Sequence, residues 1–215
     1  MAAVRRDLLE KAAGQQAAMG AQAARKVFVL ARRWAGLLAG VNLGTREVDV
    51  ADEIIIYSMY RLVLGAHREN RADRLAFLKG AREELCKLRR EAWGGAASEP
   101  ISFGADEAAE PGYLQRYGAR RGEALTPEVF EQFKLSTGIG SSVLVGNGGN
   151  LASLVFYLSV HTVLSQRSPL TRAQVGSMLK LAQQCRLDVE KLVGCRAAAR
   201  RLMPVSSAAR AGLLR

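Results

Sequence analysis

LSTGIGSSVLVGNGGNLASLVFYLSVHTVLSQ, residues Leu135 to Gln166, contains no Asp, Glu, Lys or Arg, in a chain that carries 31 basic and 20 acidic residues. Its first half is rich in Gly and Ser: Gly138, Gly140, Ser141, Ser142, Gly146, Gly148 and Gly149. Its second half, Asn150 to Gln166, reads as a helix that is apolar nearly all round, through Leu151, Leu154, Val155, Phe156, Leu158, Val160, Val163 and Leu164. Such a helix lies either in a membrane or at the centre of a folded core. The continuous apolar run is about 15 residues, short of the ~20 a membrane span needs, and Ser153, Ser159 and His161 interrupt it. The expectation is a central core helix wrapped by the others.

A chain of 215 residues is long enough for one domain with a sizeable core. The hydrophobic fraction is 49%, which excludes a disordered chain, and the net charge of +11 points to an anionic partner. Aromatic residues make up only 6% and do not alternate with basic ones, which argues against base stacking on single-stranded nucleic acid. Cys86, Cys185 and Cys195 form no CxxC pair, and with only His67 and His161 no metal-ligand spacing exists. No metal and no cofactor is expected, and the sparse cysteines fit a reducing compartment. No signal-peptide core follows the first charges. Residues 1–44 lack Ser and Thr, unlike a typical mitochondrial presequence. A cytoplasmic protein peripheral to membranes is expected, with mitochondrial import as the alternative.

The chain reads as a single helical domain. Residues 1–45 form a long basic amphipathic helix to about Leu38, with Val27, Leu30, Trp34, Leu37 and Val41 on an apolar stripe. Arg25 and Arg32, like Lys26 and Arg33, are a heptad apart and mark a separate basic face. A second helix runs from about Val48 to Leu64, acidic in its first turn and closed by Gly65. A third, from about Arg71 to Arg90, carries Leu75, Leu78, Leu85 and Leu88 as its stripe and ends in Lys87, Arg89 and Arg90. Residues 93–125, with Gly94, Gly95, Pro100 and Pro111, read as a loop or insertion, mobile in part. Thr126-Pro127-Glu128 is a helix start. Thr171 to Gln174 reads as a capping box, opening a last main helix whose stripe is Val175, Met178, Leu179, Ala182, Cys185, Val189 and Leu192. Residues 196–215 are a basic tail, a short helix with a frayed end. The fold expected is all-α, about six helices around the central apolar one.

No phosphate loop, nucleophile elbow or paired-histidine helix is present, so no enzyme is expected. Gly138 to Asn150 lead into a helix whose amides could hold an anion, but no strand precedes them as a dinucleotide fingerprint requires.

The order of these elements resembles the tumour-necrosis-factor-alpha-induced protein eight family. Four pieces carry the resemblance: Gln22 to Phe28; Glu47-Val48 with Asp52-Glu53-Ile54; Leu85 to Arg90; and Leu164 to Val193 with Leu170-Thr171, Gly176, Met178, Leu181 and Leu192. The insertion at 93–125, the Gly-rich 138–149 segment and the basic tail depart from that family. The resemblance implies a helical cylinder whose apolar cavity takes acyl chains, with basic residues at its mouth holding a phosphoinositide headgroup, in a regulator of signalling and cell survival. By resemblance the headgroup residues are Arg25, Lys26, Arg90 or Arg89, and Lys134. The cavity wall expected is Val27, Leu30, Trp34, Ile55, Leu78, Leu151, Leu154, Val155, Leu158 and Met178. The implied partners are phospholipid, chiefly phosphoinositide, an anionic membrane surface and a further protein. The alternative is a basic helical scaffold in a larger mitochondrial or ribonucleoprotein assembly, with a solid interior.

Overall fold

The computed structural model describes residues 2–66, 71–97, 99–101, 103 and 151–201, with side-chain surroundings given for most of them. Among these the protein is all-α. Five helices pack together: α1 (Ala2–Ala39), α2 (Glu47–Ala66), α3 (Arg71–Trp93), α4 (Leu151–Leu164) and α5 (Arg172–Arg201). A short 3-10 turn, Gly94–Ala97, follows α3. The expected helix at Thr126, the Gly-rich segment and the tail beyond Arg201 lie outside the described residues.

Among the described residues α2 touches all four other helices, while α4 packs chiefly on α2 and α5. Ile54, Ile55, Ile56, Tyr57 and Met59 are all at most 2% exposed, which a helix allows only when it is covered on every side. That explains three consecutive isoleucines in a helix despite their strand preference. Gly65 does not close α2 at the expected point, because the helix runs on to Ala66. α4 is nevertheless buried almost all round, and its Phe156 stacks on Tyr57 with ring centroids 4.6 Å apart.

α1 and α3 lie side by side and parallel, as the contacts Gly20 to Phe77, Arg25 to Glu84 and Phe28 to Trp93 advance together along both. They approach backbone to backbone. A methyl group at Gly20 would run into the Phe77 carbonyl, and one at Gly80 into the Ala17 backbone. This contact rotates both helices away from the expected stripes. On α1 the core face is Ala23, Ala24, Val27, Phe28, Ala31, Trp34, Ala35 and Leu38, while Leu37 is 50% exposed. On α3 it is Phe77, Leu78, Gly80, Ala81, Leu85 and Arg89, and Leu75 points outward.

The two helix turns at one end of the bundle are tied together. Gly44, with φ of +88°, lets the chain reverse between α1 and α2. Asn42 Nδ2 donates to the Leu164 carbonyl at 2.6 Å, capping the end of α4, and Gln174 Nε2 donates to the Val41 carbonyl at 2.8 Å. The capping box expected at α5 is present: the Thr171 amide donates to Gln174 Oε1, and the Gln174 amide to Thr171 Oγ1. At the other margin, Ala97, Ile101 and Phe103 join the buried residues, so the start of the expected loop is anchored to the bundle.

Candidate functional site

The basic residues singled out from sequence fall into different environments. Arg25 is exposed on α1 and pairs with Glu84 of α3 at 2.6 Å. That carboxylate raises the Arg25 pKa, and the guanidinium in turn lowers that of Glu84. Lys26 is exposed beside it. Arg90 is exposed too, but its Nε donates back to the Cys86 carbonyl of its own helix. Lys134 lies outside the described residues.

Arg89 sits in a different environment. It is only 3% exposed, and its Nε and Nη2 donate to the two Asp52 carboxylate oxygens at 2.9 and 2.7 Å. Its Nη1 donates to the Glu99 carbonyl at 2.6 Å. Three of the five N–H donors of this buried guanidinium are thus spent on a bidentate carboxylate and a carbonyl within the bundle. Arg89 therefore clamps α3 to α2 and to the segment after α3. Burial lifts the Asp52 carboxyl to about 6, and the adjacent guanidinium opposes that rise without cancelling it.

The expected cavity wall is packed interior. Val27, Ile55, Val155 and Met178 are 0% exposed, Leu78 and Leu158 are 2%, and Trp34 is 7%. Leu30 and Leu154 are partly buried against the same cluster. A void wide enough for an acyl chain would admit water-sized solvent and leave its lining measurably accessible. At the fully buried positions no such accessible space meets the side chains. Leu151 begins α4, and its side chain is outside what is described.

What sequence reading missed is the extent of the bare basic surface. No acidic residue occurs between Lys11 and Arg46. On the outer face of α1, Arg25, Lys26, Arg32 and Arg33 are all exposed, with Val29 at 70% and Leu37 at 50% between and beyond them. Leu43, in the following turn, is 91% exposed. Arg33 lies over the Trp34 ring at 5.6 Å, and among the described residues Lys26, Arg32 and Arg33 form no ion pair. Beyond the turn, an open cleft of ≈ 260 Å³ is lined by Gly44, Thr45, Arg46, Asp49, Val163, Gln166 and Arg167. Asp49 accepts two hydrogen bonds from Arg46 there, so Arg167 is the cleft's uncommitted cation.

A second polar region lies inside, where α2, α4 and α5 meet. Tyr57 donates to Glu190 Oε1 at 3.2 Å and lies 3.4 Å from the Ser153 hydroxyl. Arg61 donates to Glu190 Oε2 at 2.9 Å. Arg186 Nε donates to the Tyr157 hydroxyl at 3.1 Å. Burial pushes Tyr57 up to about 12 and raises Tyr157, so both phenols stay neutral at physiological pH. Burial likewise pushes the Cys185 thiol far up, which makes it inert as a nucleophile. Among the described residues no cluster of His, Cys, Asp and Glu could hold a metal ion, and no helix is long and apolar enough to cross a membrane. Comparison with protein-family models, with curated proteins and with solved structures finds no match, so the family resemblance of the sequence gains no support from them.

Proposed function

We propose that this protein is a non-catalytic peripheral binder of anionic phospholipid surfaces, phosphoinositide-bearing ones included, and that the outer face of α1 is the contact. One observation carries this: exposed Arg25, Lys26, Arg32 and Arg33 alternate with exposed Val29 and Leu37 along a helix stretch free of acid. A helix with this distribution lies in the interface plane, its apolar side chains dipping between headgroups while its cations meet phosphates. Each Lys or Arg close to an anionic leaflet contributes about 1 kcal/mol. The mode differs from the one the family resemblance implies. In this proposal headgroups are held on a surface, and the buried positions Val27, Ile55, Val155 and Met178 are read as core rather than as an acyl-chain site. The signalling role that the resemblance implies belongs to this proposal and rests on the resemblance alone.

The test is co-sedimentation of the full chain with vesicles of phosphatidylcholine, alone or with phosphatidylserine or a phosphoinositide. Binding is expected only to the anionic vesicles, weakening as salt rises, since surface electrostatics are screened within about 8 Å at physiological ionic strength. The triple change Lys26→Glu, Arg32→Glu and Arg33→Glu should abolish it while leaving the helical content unchanged. Equal binding to neutral vesicles, or no loss in the triple variant, would sink the proposal. Salt-sensitive capture of RNA with no vesicle binding would favour the scaffold alternative.

A further inference from the structure

We infer that Arg186 and Tyr157 form a buried-edge binding site for a small oxyanion, a phosphate or a carboxylate, between α4 and α5. Arg186 is 6% exposed, and its one hydrogen bond among the described residues is from Nε to the Tyr157 hydroxyl. A small part of its surface still reaches solvent. Removing a guanidinium from water is costly unless an anion compensates it. The other buried arginine among the described residues, Arg89, has both oxygens of Asp52. Arg186 has a phenol.

Among the described residues no carboxylate nearby is available to it. α4 contributes none, because Leu135 to Gln166 is without charge. On α5 itself, Glu190 is one helical turn along, but it is held by Arg61 and Tyr57 of α2. Asp188 turns to α1, where it accepts from Trp34 Nε1 at 3.2 Å, and to Lys191 at 3.1 Å. The Tyr157 oxygen accepts from Arg186, which leaves the phenol's own proton to be donated elsewhere. The fork of two terminal guanidinium nitrogens and that O–H make a donor set with no acceptor. Such a set suits the paired oxygens of a phosphate or carboxylate.

The site lies on the α4 side of α5, apart from the outer face of α1, and stands or falls independently of the membrane proposal. The test is calorimetric titration of the full chain with inorganic phosphate and, in parallel, with acetate, at fixed ionic strength. One saturable site is expected for at least one of them, and the stronger binder tells phosphate from carboxylate. Arg186→Met should weaken binding at least tenfold. Arg186→Lys, which keeps the charge and loses the fork, should fall between. Tyr157→Phe, which keeps the ring in place, should weaken binding several-fold, and it serves as the deciding variant if Arg186→Met does not fold. Absence of saturable binding of either anion to the wild type would overturn the site, as would wild-type affinity in Tyr157→Phe together with either Arg186 variant.

Discussion

Among the described residues two arginines are buried to nearly the same degree, yet they meet opposite surroundings. Arg89, 3% exposed, is held by the Asp52 carboxylate and the Glu99 carbonyl. Arg186, 6% exposed, meets the neutral hydroxyl of Tyr157. The difference teaches what each is for. A compensated charge ties elements together, whereas an uncompensated one weakens the fold unless a ligand completes it. It also follows from sequence composition: Arg89 faces α2, which opens with acids, and Arg186 faces α4, which has none.

Arg89→Met should cost the most, about 3–5 kcal/mol at neutral pH, because it strands the Asp52 carboxylate in the interior. Urea denaturation measures it, and a loss below 1 kcal/mol would break the contrast. The pH dependence comes next. Asp52 titrates at about 6 in the folded protein, above its ordinary 3.8. The folded state therefore holds the proton more tightly, and the stabilisation from this group is full below about 3.8 and lost as pH rises through about 6. The difference in stability between wild type and Asp52→Asn, followed from pH 4 to pH 7, should show that fall. In Arg89→Met the fall should move to higher pH, since the cation that holds the Asp52 pKa down is gone. A flat difference would mean that Asp52 is ordinary.

Arg186→Met should have the opposite sign to Arg89→Met, raising stability by about 1 kcal/mol in chloride buffer with no oxyanion present. Thermal unfolding with and without phosphate would show the gain shrinking as phosphate stabilises the wild type. The smallest effect expected is from Tyr157→Phe, a loss of about 0.5–1.5 kcal/mol for one hydrogen bond. A loss as large as that of Arg89→Met would mean that the phenol is a full structural partner of Arg186.

Much of the fold was legible because it is written locally. The span of α1, the Thr171 capping box and the all-round apolar α4 each depend on residues within a few positions of one another. The face each helix buries was less legible. Leu37 and Leu75 fit an apolar periodicity but point outward, because Gly20 and Gly80 draw α1 and α3 together on small residues that a size-weighted stripe overlooks. Arg89 belonged, by position, to a cationic helix end beside Lys87 and Arg90. Its partner Asp52 is 37 residues away in sequence, and only the packing of α2 on α3 joins them. Of the basic face, the heptad pairs on α1 were readable, while the exposure of Val29 and Leu43 depends on which side the neighbours cover.

The backbone contact at Gly20 and Gly80 also bears on the order in which the chain assembles. α1 and α2 meet through a short turn, whereas the two glycines are separated by the whole of α2 and more. Closing a longer loop is entropically later, and contacts distant in sequence slow folding. We expect the α1–α2 hairpin to form first and α3 to dock onto its flank afterwards. On that order, Gly80→Ala should chiefly speed unfolding, and Gly36→Ala, near Glu47 where α1 meets α2, should do so far less. Slowed refolding with unchanged unfolding in Gly80→Ala would place the glycine contact in the folding nucleus instead.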